Sequence, residues 1–124
     1  MTLLGYRLDG KPFHPIGFVH LTLFWRAEAD SLPDREVAAR LRAIDGEVVA
    51  QVQNRPADGG YPTTAWRKGE VVRDLYSFWL DENFPPGHYT LEVSVRRGDT
   101  GEPVLDDADR EWVPLLEIAV QSEG

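Results

Sequence analysis

The chain has 124 residues and a formal net charge of −8, with 42% apolar residues, 27% charged residues and no cysteine. This length fits one domain, and the apolar fraction excludes a disordered chain. Without cysteine there is no disulfide scaffold, thiolate metal site or cysteine nucleophile, and the net acidity argues against a nucleic-acid partner.

Apolar residues recur at every second position along most of the chain, which is the period of β-strands. Turn signals such as Asp45-Gly46 and Pro85-Pro86-Gly87 separate the alternating runs. In chain order, the pattern predicts strands at 3–8, 17–27, 36–43, 47–53, 70–80, 88–97 and 113–121, with a short extra strand at 103–105. The sequence therefore predicts an all-β fold, an immunoglobulin-like antiparallel β-sandwich of seven to eight strands, as one domain over 1–124 with its core at about 3–121.

The segment 34–44 has two interpretations. It is rich in good helix formers, and Val37, Leu41 and Ile44 suit one face of a helix. Alternation instead places Val37, Ala39 and Leu41 on one face of a strand. Because Asp45-Gly46 leads directly into another apolar run, a hairpin is favoured and the segment is predicted to be a strand.

The loop at 54–68 is long for a connection within a sandwich. Its Tyr61 and Trp66 are able to pin it to the body by burying their rings. The alternative is a reactive loop of a protease-inhibitor-like sandwich, since no other loop is long enough for that role. The two aromatic residues favour the packed loop.

Several short motifs follow one another in an order that resembles a known family. They are Leu21-Thr-Leu-Phe-Trp-Arg-Ala27, Asp45-Gly-Glu-Val-Val-Ala-Gln51, Gly60-Tyr-Pro-Thr-Thr-Ala-Trp66, Gly69-Glu-Val-Val-Arg-Asp74 and Pro85-Pro-Gly-His-Tyr-Thr-Leu91. This order is similar to the C-terminal β-sandwich module of bacterial membrane glycosyltransferases of the dolichyl-phosphate-mannose–protein mannosyltransferase type. The resemblance covers about residues 3–120.

The resemblance implies a non-catalytic accessory module of a membrane glycosyltransferase-like protein. The transferase chemistry of that family belongs to its membrane part, so the domain itself is expected not to be an enzyme. The expected location is extracytoplasmic, attached to a membrane protein, although no apolar run in this chain approaches the roughly 18 residues of a membrane span. The expected partners are a neighbouring membrane, periplasmic or extracellular domain, or a second copy, with a glycan as a further alternative and no nucleic acid.

The chain offers little that resembles a catalytic or metal site. Its three histidines lack the spacing of a zinc site, and no Gly-x-Ser-x-Gly motif occurs. The one candidate for Ca²⁺ is the acidic run with Asp107, Asp109 and Glu111, whose alternate spacing offers several oxygen ligands. A solvated loop explains these charges equally well, and no catalytic residue and no cofactor are predicted.

Aromatic and apolar residues on outward positions are the candidates for an interaction surface. If the second strand and the 70–80 strand are neighbours, Phe24, Val71, Leu75 and Trp79 form one apolar stripe on the outer face. Such stripes mark interaction surfaces. Three hypotheses follow: docking on a neighbouring domain or a second copy, coverage by the 54–68 loop or a terminus, and sugar stacking by Tyr61, Trp66 and Trp79 in a carbohydrate-binding module.

Overall fold

Eight strands in two antiparallel sheets make up this computed structural model, which describes residues 1–122. The first sheet contains β1 (Thr2–Asp9), β2 (Gly17–Arg26) and β5 (Val71–Leu80), with β2 in the centre. The second contains β3 (Arg35–Ala43), β4 (Val48–Asn54), β6 (Gly87–Arg97), β7 (Pro103–Val104) and β8 (Val113–Val120). It runs β4-β3-β6, and β7 and β8 both pair with the far edge of β6. Within residues 1–122 no helix is both long and apolar enough to cross a membrane.

The hydrophobic core lies between the inner faces of the two sheets. Every second residue of β2 points inward, and so does every second residue of β5, because side chains alternate along a strand. The alternation predicted from the sequence is therefore confirmed, and so is the all-β sandwich. Buried side chains from both sheets meet in this layer, among them Leu21, Leu23, Trp25, Val37, Leu41, Phe78 and Leu91.

The segment that resembled a helix is β3, a central strand of the five-stranded sheet. It pairs with β4 on one side and β6 on the other, so its backbone is hydrogen-bonded along both edges. Val37, Ala39 and Leu41 are fully buried on its inner face. Tertiary pairing and burial thus outweigh a local helix propensity of a few tenths of a kcal/mol per residue. The prediction of a strand is confirmed.

The long loop before β5 is packed against the body. It contains two short 3-10 turns, at Pro56–Gly59 and Thr63–Ala65. Trp66 is only 1% exposed and its indole N–H donates to the carbonyl of Tyr61, 2.9 Å away. Thr63 is fully buried, and its hydroxyl donates to the carbonyl of Pro33 at 2.6 Å. The protease-inhibitor-like interpretation needs a free reactive loop, and the anchoring of this loop by Trp66 and Thr63 disfavours it.

Candidate functional site

An apolar stripe crosses the outer face of the three-stranded sheet. The antiparallel register of β2 and β5 places Phe18 opposite Trp79 and Thr22 opposite Leu75. Leu75 is 62% exposed, Trp79 52% and Phe18 46%, which is unusual for such large apolar side chains. From here on, the apolar stripe means Phe18, Phe24, Val71, Leu75 and Trp79.

The predicted exposure of Leu75 and Trp79 is observed, whereas Phe24 is half-buried. Because neither the 54–68 loop nor a terminus within residues 1–122 covers these two side chains, the covered-stripe hypothesis is wrong. A docking role for the stripe stays a prediction.

Phe18 is the member of the stripe that the sequence analysis missed. Its ring lies 4.9 Å from the ring of Trp79, between centroids, and 5.2 Å from the ring of His20. His20 is held in turn by a 2.8 Å hydrogen bond between its Nδ1 and the hydroxyl of Ser77. The signal was available, because Phe18 shares the outward parity of Phe24.

The sugar-stacking hypothesis for this face required rings that lie in one plane. The Phe18 and Trp79 rings are tilted by 55° relative to each other. Trp66 is buried in the core, and Tyr61 is half-buried with its hydroxyl donated to the Glu70 carboxylate. Tyr61 and Trp66 are thus loop anchors, and the expectation that Trp66 lies on the interaction surface is wrong.

A buried carboxylate lies on the core side of β5, opposite the face that carries the stripe. Asp74 points inward from β5 and is fully buried. It accepts hydrogen bonds from the indole N–H of Trp25, at 3.1 Å, and from the backbone N–H of Ala57, at 2.9 Å. The bond from Ala57 attaches the 54–68 loop to β5, the strand that carries Leu75 and Trp79, and the bond from Trp25 joins β5 to β2.

Burial controls the ionisation of this group and of its neighbour. Burial raises the pKa of Asp74 despite its hydrogen bonds, and burial raises the pKa of Tyr76 even further, helped by the negative charge of Asp74. Although Asp74 is close, no partner meets hydrogen-bond geometry with the Tyr76 hydroxyl within residues 1–122. The two groups therefore interact through charge rather than through a hydrogen bond.

The outer face of the five-stranded sheet is polar, in contrast to the stripe. Glu92 of β6 is 5% exposed and its Oε1 accepts hydrogen bonds from Arg40, at 2.9 Å, and Arg42, at 3.0 Å. Burial opposes ionisation of Glu92, but the two arginines outweigh it, so its pKa is lowered. The Arg40 guanidinium also lies 3.9 Å from the ring centroid of Trp112, a cation–π contact.

A cavity of about 400 Å³ opens between the two sheets. Its walls include apolar residues from the inner faces, such as Leu3, Trp25 and Val93. Charged residues also line it, among them Arg35 and Glu28. The volume falls within the range of small-molecule sites, which is about 300–1,000 Å³.

The carboxylates of the acidic run before β8 are not gathered around one point. Glu111 forms an ion pair with Arg96 at 3.1 Å, so its charge is already balanced. No group of three or more His, Asp or Glu side chains in residues 1–122 is placed to hold a metal ion. This arrangement does not support the Ca²⁺ candidate of Asp107, Asp109 and Glu111, which stays a prediction.

Comparison with known proteins gives a fold and no family. No family model matches the chain, and no curated protein matches it. Among solved structures, the chain is similar to the C-terminal domain of Wzt, with a TM-score of 0.67 and 14% identity over 99% of this chain and 74% of that one. It is also similar to a Niemann-Pick type C2 protein from Japanese carpenter ant, with a TM-score of 0.54 and 9% identity over 98% of this chain and 91% of that one.

The structural match corrects the resemblance drawn from the sequence. The similar domain belongs to Wzt, which is a different family from the mannosyltransferase-type module. The residues that suggested that module have packing roles here: Trp66 fills the core and Asp74 fastens the loop. Such roles arise wherever a sandwich must hold a long loop, so they do not identify a family. At these identities the comparisons establish a β-sandwich of the kind seen in Wzt and in the Niemann-Pick type C2 protein.

Proposed function

We propose that this chain is a non-catalytic interaction module that docks on a protein surface through the apolar stripe. One observation carries the proposal: Phe18, Leu75 and Trp79, all large and apolar, are about half exposed or more on a single sheet face. Burying them against a partner gains roughly 25 cal/mol for each Å² of apolar surface removed from water.

The setting of the stripe supports a protein partner. The sheet beneath it is rigid, because β5 pairs with β2 over ten residues and Asp74 ties it to the loop. A preorganised apolar surface with polar groups such as Arg73 and Ser77 between its members resembles the core and rim of protein interfaces.

The test compares the wild type with Trp79→Ser, using Ile44→Ser as the matched control. Ile44 is 96% exposed in the turn between β3 and β4, away from the stripe. The possible partners offered to each variant are a second, differently tagged copy of the chain and the proteins in an extract of the source cells. We expect wild type and Ile44→Ser to retain the same partner and Trp79→Ser to lose it. Equal retention by Trp79→Ser contradicts the proposal.

Carbohydrate binding is the second candidate, on the other sheet. The observation that favours it is the polar face where Trp112 lies beside Arg40 and Glu92, with Gln51 exposed next to them. Aromatic rings and paired charged groups of this kind are able to contact sugar rings and their hydroxyls. A glycan array tests it: a ligand bound by the wild type and lost by Trp112→Ala supports this role, and no bound glycan contradicts it.

A further inference from the structure

The free edge of β5 carries an ordered row of backbone donors and acceptors. The carbonyls of Glu70 and Leu80 accept hydrogen bonds from Ala27 and Ile16, which flank β2. In a strand, the N–H and C=O of one residue point to the same side, and successive residues alternate. Even-numbered residues of β5 therefore face β2, and the odd-numbered ones, from Val71 to Trp79, face the free edge.

These odd-numbered residues are also the ones with exposed side chains. Val71, Arg73, Leu75, Ser77 and Trp79 are all exposed on the outer face. Apart from the ladder with β2, no backbone hydrogen bond joins them to another part of residues 1–122. The turn at Pro56–Gly59 contacts the core side of β5 instead, where the N–H of Ala57 donates to Asp74.

The β5 edge lacks bulges, proline and lysine, which are among the features by which natural proteins guard edge strands. Its charged residues are Arg73 on the outer face and the inward-pointing Asp74. The pairings of β1, β4 and β8 each contain a register shift, and β8 also contains Pro114. In contrast, β5 pairs without a shift over all ten residues and contains neither proline nor lysine. An open strand of this kind is suited to pairing with another strand.

The sequence of β5 is complementary to itself when two copies run antiparallel. With Leu75 opposite Leu75 of the second copy, Val71 faces Trp79, and Arg73 faces Ser77, so no like charges meet. The backbone N–H and C=O groups of all these residues point to the free edge, as hydrogen-bonded pairs require.

From this complementarity we infer that the partner is a second copy of this chain, joined edge to edge through β5. The two three-stranded sheets then form one six-stranded sheet with a two-fold axis at Leu75, and the two stripes become continuous across it. The inference rests on the proposed function, because Val71, Leu75 and Trp79 of the stripe meet their counterparts across the paired edges and bury part of their surface there.

Single cysteines test the register directly, because the chain contains none of its own. Facing residues have Cα atoms about 5.5 Å apart, within the range of a disulfide. Ser77 of one copy is four residues away from Ser77 of the other, roughly 13 Å, which is too far to bridge. Under mild oxidation we expect Leu75→Cys to form a disulfide-linked dimer, and a mixture of Arg73→Cys with Ser77→Cys to form one also. Equal cross-linking of Leu75→Cys and Ser77→Cys, or no cross-linking of either, overturns the inference.

Light scattering on the whole chain provides the second measurement. The wild type is expected at twice its 14.0 kDa mass. Leu75→Pro removes an N–H that faces the free edge and no hydrogen bond of the ladder with β2. We therefore expect a folded chain whose dimer is at least about tenfold weaker, with Leu75→Val as the control that keeps the N–H.

The outcomes separate the inference from the proposed function. A monomeric wild type, or a folded Leu75→Pro that dimerises normally, overturns the edge pairing. The proposed function is decided separately, by whether Trp79→Ser still retains a partner. If Leu75→Pro does not fold, the cysteine variants alone decide the inference.

Discussion

The buried side chain of Asp74 makes three contacts. It accepts hydrogen bonds from the Trp25 indole and from the backbone N–H of Ala57, and its carboxylate lies next to Tyr76. Burial raises its pKa above the ordinary 3.8. Its contribution to stability is therefore fully present below pH 3.8 and is lost as the pH rises through the raised pKa, at about 1.4 kcal/mol for each unit of pKa difference.

Asp74→Asn removes this titration and keeps an oxygen acceptor. We expect the free energy of unfolding of the wild type minus that of the variant to fall as the pH rises from 3.8 towards neutrality. Urea denaturation of both proteins across that range measures this difference. A difference that rises with pH contradicts the argument, because it means that the hydrogen bonds outweigh burial.

Glu92 behaves in the opposite way, because its two arginines lower its pKa below 4.5. Its stabilisation is present above pH 4.5 and is lost as the pH falls through the lowered pKa. We expect Glu92→Gln to cost about 1.5–3 kcal/mol at neutral pH, since charge-assisted hydrogen bonds of a buried group are lost. Glu117→Gln is the control, with a side chain 67% exposed, and should change stability by less than about 0.5 kcal/mol. Equal effects of the two substitutions contradict this role for Glu92.

The strands were predictable because alternation and turn residues act locally. Even β3, where propensity suggested a helix, followed from Val37, Ala39 and Leu41. Trp66 was harder to place, because a loop has no periodicity that marks its buried side. Asp74 was not predicted as a site residue because its role depends on partners distant in sequence, such as Trp25, 49 residues away. The outward position of Phe18 was predictable from its parity, but its contact with Trp79 depends on the register of β2 and β5.

The packing of the 54–68 loop against the core depends mainly on one residue, Trp66. Trp66 is 1% exposed and belongs to the hydrophobic core. We expect Trp66→Ala to lower the free energy of unfolding by about 3–5 kcal/mol, as for other large core truncations. Tyr61→Phe, which loses one bond to Glu70, should cost about 1 kcal/mol or less. Urea denaturation compares them, and similar costs for both contradict a core role for Trp66.

At the scale of the whole molecule, the net charge of −8 opposes association of two copies. This repulsion is weaker at the proposed interface, because the only charged residue among the odd-numbered positions of β5 is Arg73, which is positive. Raising the salt concentration from about 0.01 M to about 0.15 M shortens the Debye length from about 30 Å to about 8 Å. We therefore expect the dimer to become severalfold tighter, as measured by sedimentation equilibrium. Weakening by salt indicates an interface held mainly by ion pairs, which contradicts pairing through the backbone and apolar side chains of the β5 edge.

Hydrogen exchange along β5 tests the central claim that this strand is the interaction element. The amides of Val72, Tyr76 and Phe78 face β2 and should be protected at every protein concentration. Those of Arg73, Leu75, Ser77 and Trp79 should exchange rapidly in dilute solution and become protected as the concentration rises, because a second copy then pairs with the free edge. Rapid exchange of these four amides at all concentrations contradicts the claim.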